Sequence, residues 1–221
     1  WHEAVAFSKN AAVQEEKEEE EEEKEEEDVE EENKIVFAFS ISELQLTYSQ
    51  FDIDSLLAIV DLSGMKHVAP DVVHDMLLTH FKESTTDGDE LYRSDFDECV
   101  RTIVSEENLD FVEREQLSQV FAEMFQTFSK GSSRVSSRTE IAIGMSFLCR
   151  GSKSRKLELA FDALDLDCDG KLEEDELCTY FRCFLTALSM FSGSLVGLGD
   201  DEIHCLVSSA SEDLRDLVFD D

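Results

Sequence analysis

The sequence predicts an all-α fold assembled from helix–loop–helix units in pairs, on three observations. Apolar side chains return at helical spacing in one segment after another. The helix–loop–helix units recur at roughly 40–50 residues, a period that marks internal repeats. A single proline, Pro70, interrupts 221 residues, which leaves room for long helices.

The elements follow in order. Residues 1–34 are low-complexity, and 15–33 hold 15 acidic side chains against two lysines. Such a stretch buries too little apolar surface to offset chain entropy, so a disordered acidic tail is expected. The sharper alternative is an acidic arm that recruits a basic partner or collects cations. In IVFAFSISELQLTYSQFDIDSLLAIVDL (35–62), Ser42 ahead of Leu44 and Leu46 suggests one helix opening, and 53–62 a second helix. Pro70 and Asp71 suit the first turn of a helix over 71–81, in which Val72, Val73, Met76, Leu77 and Phe81 share a face. Further helices are expected over 95–104, 106–128, 141–149, 155–164, 177–191 and 200–219.

The organisation expected is a tail (1–34), an N-terminal lobe (35–150) and a C-terminal lobe (151–221). Net charge is −34, of which segment 15–33 supplies −13 and the remainder −21. A surface this acidic repels nucleic acid and anionic lipid and attracts cations and basic segments. The longest apolar stretches, 141–149 and 184–191, fall short of the ~20 residues a bilayer requires. The six cysteines show no C-x-x-C pair, which points to reduced packing thiols in a cytoplasmic protein rather than zinc ligands. Five scattered histidines offer no legible nucleophile–base pair, so no enzyme is expected.

The chemistry concentrates in DLDCDGKLEEDE (165–176). Positions 1, 3, 5, 7, 9 and 12 of this loop are Asp165, Asp167, Asp169, Lys171, Glu173 and Glu176. Alternate residues face inward at a tight loop start, and oxygen donors at this spacing suit a hard divalent cation. Gly170 stands where the chain needs a sharp turn. Lys171 would supply only its backbone carbonyl, and Leu172 is the apolar position that packs. Glu176 is long enough to bind bidentately, which favours Ca²⁺, with Mg²⁺ as a competitor. Leu157, Phe161 and Leu164 before the loop, and Leu177, Tyr180, Phe181 and Phe184 after it, form two phased apolar stripes. Two other readings are a solvated acidic turn and a D-x-D phosphoryl- or glycosyl-transfer motif, but the latter usually follows an apolar strand.

Two other loops are degenerate. In SKGSSRVSSRTE (129–140), Ser129, Gly131 and Ser133 replace carboxylates, Arg134 and Arg138 add positive charge, and Glu140 would be the terminal acid, while the apolar Val135 falls one place early, which suggests a deleted residue. In STTDGDELYRSD (84–95), Leu91 is position 8 and Asp95 position 12. Both are expected to be structural. From about 201 the chain resembles the entry helix of another unit, with Asp220 as its first ligand. With Trp1 at the start, that suggests a fragment.

These residues resemble the EF-hand superfamily, with calmodulin-like paired units. RGSKSRKLELAFDALDLDCDGKL (150–172) is similar to the run joining the second and third units in the neuronal-calcium-sensor, calcineurin-B and calaxin branch. The resemblance implies calcium-dependent regulation of a protein target through an apolar groove. Met145, Phe181, Phe184 and Met190 are candidates for that groove or for ordinary core. Three functions stay open: a calcium sensor, a cytoskeletal or axonemal scaffold subunit with a stabilising site, or a regulatory segment of a larger enzyme.

Overall fold

The computed structural model describes residues 34–80, 88–104, 109–129 and 135–219. Of these, 68% are helical, in eight α-helices, a π-turn and two 3₁₀ turns, alongside two small two-stranded sheets. Residues 1–33 of the tail expected over 1–34, Phe81, residues 84–87, Gly131, Ser133, Arg134 and Asp220 lie outside the described residues.

The chain opens as a hairpin where a helix was expected. β1 (Ile35–Ile41) pairs antiparallel with β2 (Leu44–Ser49), Ile41 facing Leu44 across a two-residue turn with Ser42 at φ +49°. The reason is the period. Leu44, Leu46 and Tyr48 are all buried and alternate with more exposed residues, and a spacing of two belongs to a strand. Ser49 then starts α1 (Gln50–Leu62) through a reciprocal cap: Asp52 N–H donates to Ser49 Oγ at 3.2 Å, and Ser49 N–H to Asp52 Oδ2 at 2.8 Å.

Pro70 occupies the first turn of α2 (Pro70–His74), as its fixed φ and missing N–H allow, and the helix runs on as a π-turn over Asp75–His80. β3 (Glu90–Tyr92) leads into α3 (Arg93–Ile103). α4 (Phe111–Phe128) starts at a capping box made by Asp110 and Glu113. β4 (Val135–Ser137) leads into α5 (Arg138–Ser146), and α6 (Lys153–Leu164) starts at the Ser152 cap. α7 (Glu174–Ser189) and α8 (Asp200–Phe219) follow, joined by a short 3₁₀ turn at Gly193–Leu195. None of these helices is long and apolar enough to cross a membrane.

Two apolar clusters hold the helices. The larger joins Met65, Phe96, Phe121, Phe125, Ile141 and Cys183, so it draws on residues from both sides of residue 150. The smaller binds the hairpin's Leu44, Leu46 and Tyr48 to Leu185, Leu195 and Val207. Three cysteines, Cys99, Cys149 and Cys183, are buried packing thiols. Burial pushes the first two up to about 12, which keeps them protonated.

One helix crossing in the larger cluster is closed by glycine. A Cβ at Gly144 would stand 2.3 Å from Cζ of Phe128, whose ring is buried. Alanine there gains about 1 kcal/mol in helix propensity. Overpacking costs about 1–3 kcal/mol. Gly144→Ala is therefore expected to destabilise the fold by about 1 kcal/mol net, read as a lowered urea midpoint.

Candidate metal centre

α6 ends at Leu164, and Asp165 N–H still donates to Phe161 O at 2.9 Å. The chain then turns back on its own carboxylates. Asp165 accepts Asp169 N–H on Oδ1 and Gly170 N–H on Oδ2, both at 3.0 Å. Asp167 Oδ1 also accepts Asp169 N–H, at 3.3 Å, and Asp169 Oδ1 accepts Lys171 N–H at 2.8 Å. These local bonds fold a loop that offers few apolar contacts. Gly170 sits at φ +79°, the left-handed turn predicted for it. Cys168 sits at φ +58°, a conformation that disfavours any side chain and that the sequence did not announce.

The result is convergence. A carboxylate oxygen from each of Asp165, Asp167 and Asp169 lies within 4.8 Å of the others. Glu173 and Glu176 are not in that cluster. Glu176 instead folds over the loop's two ends, accepting Leu166 N–H on Oε1 at 3.3 Å and Glu173 N–H on Oε2 at 2.9 Å. Lys171 is exposed, and Leu172 is half-buried against the larger cluster. The helix after the loop begins at Glu174 rather than Leu177, because Glu174, Asp175 and Glu176 are favoured near the positive end of α7.

The charges repel. The Asp169 backbone N–H favours ionised Asp167, but desolvation and the carboxylates of Asp169 and Asp165 outweigh it, so its pKa is raised. The native loop then holds its proton more tightly than the unfolded chain. Metal-free stability from this group is lost as pH rises through the carboxylate range. An all-oxygen donor set of this density is what a hard divalent cation relieves.

The degenerate loops meet each other. β3 pairs antiparallel with β4, and Leu91 faces Ser136. Counted from 84 and 129, each is the eighth residue of its loop. Asp89 fastens the pair: its carboxylate accepts Ser137 Oγ–H at 2.5 Å, Thr139 N–H at 3.1 Å and Thr139 Oγ1–H at 2.8 Å, and its carbonyl accepts Arg138 N–H at 2.8 Å. Glu140, the terminal acid, takes a guanidinium from the next unit: Arg182 Nη2 lies 2.6 Å from its Oε1, and both side chains are largely buried. Burial works against the Arg182 charge, and Glu140 more than offsets it, so the guanidinium's pKa is raised. This pair joins α5 to α7. The sequence reading missed it because nothing local links positions 140 and 182.

Of the candidate groove residues, Met145 is fully buried in the larger cluster, and Phe181 and Phe184 are half-buried. Met190 borders an open groove of about 390 Å³, with Phe51, Ile59, Val120 and Val196 around it.

Two substitutions test this geometry. In chelator at neutral pH, Asp167→Asn is expected to raise the melting temperature, since it removes one repelling charge, and to weaken cation binding in calorimetry. Arg182→Ala leaves Glu140 uncompensated and is expected to cost about 2–4 kcal/mol in urea unfolding, more than the double change Glu140→Gln with Arg182→Met. Comparison with protein-family models, curated proteins and solved structures found no match.

Proposed function

We propose that the chain binds Ca²⁺ through an EF-hand at residues 165–176 and acts as a calcium sensor that regulates a partner protein. The observation that carries this is the convergence of the Asp165, Asp167 and Asp169 oxygens around a loop turned by Gly170. Asp165, Asp167, Asp169, Glu173 and Glu176 would hold the ion with their side chains, and Lys171 with its carbonyl. Ca²⁺ supplies a charge that neutralises the loop, and Mg²⁺ competes for the same oxygens. The eighth-to-eighth register of Leu91 and Ser136 supports EF-hand pairing of the two degenerate loops. The groove beside Met190 supports a partner segment with apolar anchors. Asp52, Glu123 and Asp200 at the groove favour basic residues in that segment.

A structural or scaffold role is the second reading. It is favoured by the burial of Met145 and the partial burial of Phe181 and Phe184, which leave less apolar surface for a target.

Calorimetric titration with Ca²⁺, alongside a hydrophobic dye, separates the readings. Binding heat is expected from the native chain, and Glu176→Gln is expected to weaken it by about 100-fold. No heat from the native chain removes the calcium reading. Heat with unchanged dye fluorescence favours the structural role.

A further inference from the structure

The two edges of the β1–β2 ribbon are finished differently. Along β2 the edge is closed. Ser192 Oγ donates to Thr47 O at 2.8 Å and accepts Thr47 N–H at 3.2 Å, and Ser194 Oγ donates to Gln45 O at 3.0 Å. Gln45 and Thr47 therefore turn their backbone groups away from β1. In an antiparallel ladder the residues opposite them turn theirs away too. Those residues are Ser40 and Ala38. Their N–H and C=O groups point to the outer edge of β1, and no hydrogen bond from outside the ribbon reaches them among the described residues.

An open edge is a template for another strand unless something blunts it. Charge does not blunt this one, because residues 35–41, IVFAFSI, hold no charged side chain and no proline. A register shift between Ile35 and Phe37 bends the start of the strand, but residues 37–41 run regularly against β2. Apolar surface is left over as well, with Ile35 61% and Phe37 49% exposed.

The strand is also close to a palindrome. About Ala38, Phe37 mirrors Phe39 and Ile35 mirrors Ile41, and only Val36 and Ser40 differ. A second β1 laid antiparallel and centred on Ala38 sets Ala38 against Ala38 and Phe37 against Phe39 twice over. The backbone offers the same centre, since two outward-facing Ala38 residues can exchange N–H···O bonds across a two-fold axis. Phe37, Phe39 and Ile41 stand opposite Tyr48, Leu46 and Leu44, on the apolar face of the ribbon. Cross-strand aromatic pairs at the new seam extend that face.

Charge sets the direction. Segment 15–33, of net charge −13, precedes β1. Parallel strands would bring two such segments in at one end. Antiparallel strands hold the two copies of Lys34 roughly 25 Å apart, well beyond the ~8 Å over which charges act at physiological salt. Each Lys34 then approaches Glu43 of the other copy.

We propose that a second copy of this chain docks on β1, antiparallel about a two-fold axis at Ala38, to give a four-stranded sheet. Assembly closes at two copies, because the serine hydroxyls occupy the edge of each β2. The seam is small beside the ~1,200–2,000 Å² of a standard interface, so the dimer forms in a concentration-dependent way. It stands independently of the calcium reading.

Sedimentation equilibrium of the full chain in chelator tests this. The mean mass is expected to climb towards two chains between about 5 µM and about 500 µM. It is expected to climb at lower concentration in ~0.5 M salt, which screens the repulsion between two acidic chains. Ala38→Pro removes the outward N–H and leaves the bonds to β2, and Ala38→Glu sets two carboxylates against each other across the axis. Both are expected to stay single at about 500 µM, and Ala38→Glu, at an exposed position, to keep the native urea midpoint. Mild oxidation reads the register, with Cys168→Ser and Cys205→Ser in place. Ala38→Cys is expected to cross-link two chains, whereas Ser40→Cys, offset by roughly 13 Å along the strands, is not. A native chain that stays single at about 500 µM in ~0.5 M salt overturns the proposal. So does association that Ala38→Glu leaves unchanged, or cross-linking no stronger at 38 than at 40.

Discussion

The ion pair between Glu140 and Arg182 is the constraint around which the rest is arranged. It ties α5, which leaves the degenerate loop pair, to α7, which leaves the acidic loop. A partly buried guanidinium is costly unless a carboxylate meets it, and a buried carboxylate is costly unless a cation does. Each therefore fixes the other. Glu140 stands at the twelfth place of its loop, where a metal-binding loop presents its last carboxylate. Here that negative charge is answered from within the chain. Ser137 Oγ also accepts Glu140 N–H at 3.0 Å, so α5 is capped at the same point.

Seen from this pair, the two loops differ in whether an arginine of the chain reaches their acids. After β4 the chain brings Arg182 to Glu140. At 165–176 the acids are Asp165, Asp167, Asp169, Glu173 and Glu176, and Lys171 is exposed. Desolvation and like charge raise the Asp167 pKa against the pull of a backbone N–H. A chain of net charge −34 adds to the same field. The three aspartates of the loop thus repel one another.

What was legible in the sequence follows from range. The 165–176 loop is set by contacts within a dozen residues: Asp165 to Gly170, Asp169 to Lys171, Glu173 to Glu176. Its turn at Gly170 and its flanking helices could be placed from spacing alone. Pro70 and the helix over 200–219 were legible for the same reason. The hairpin at 35–49 was not. Leu44 and Leu46 fit a strand by period, but a Phe- and Leu-rich run beside Ser42 also imitates a helix opening. What decides between them is burial against Leu185 and Val207, some 140 residues or more away. Arg182 reaching Glu140, 42 residues away, and Asp89 reaching Thr139, 50 residues away, are also beyond local pattern. Local pattern carries ligands and turns; it does not carry which helix end a strand will lie on.

That division bears on what the acidic loop can do. The helix that carries Glu176 also carries Cys183 and Ala187 into the larger apolar cluster and Leu185 and Leu188 into the smaller one. The larger cluster is dense and holds rings such as Phe96 and Phe125, 5.3 Å apart between centroids, so it resists deformation. The smaller one is closed by a two-stranded ribbon with an exposed flank and by serine hydroxyls. Ala187, with Met190 and Phe191 beyond it, also packs on the larger cluster, so the end of α7 away from the acidic loop is held by both clusters.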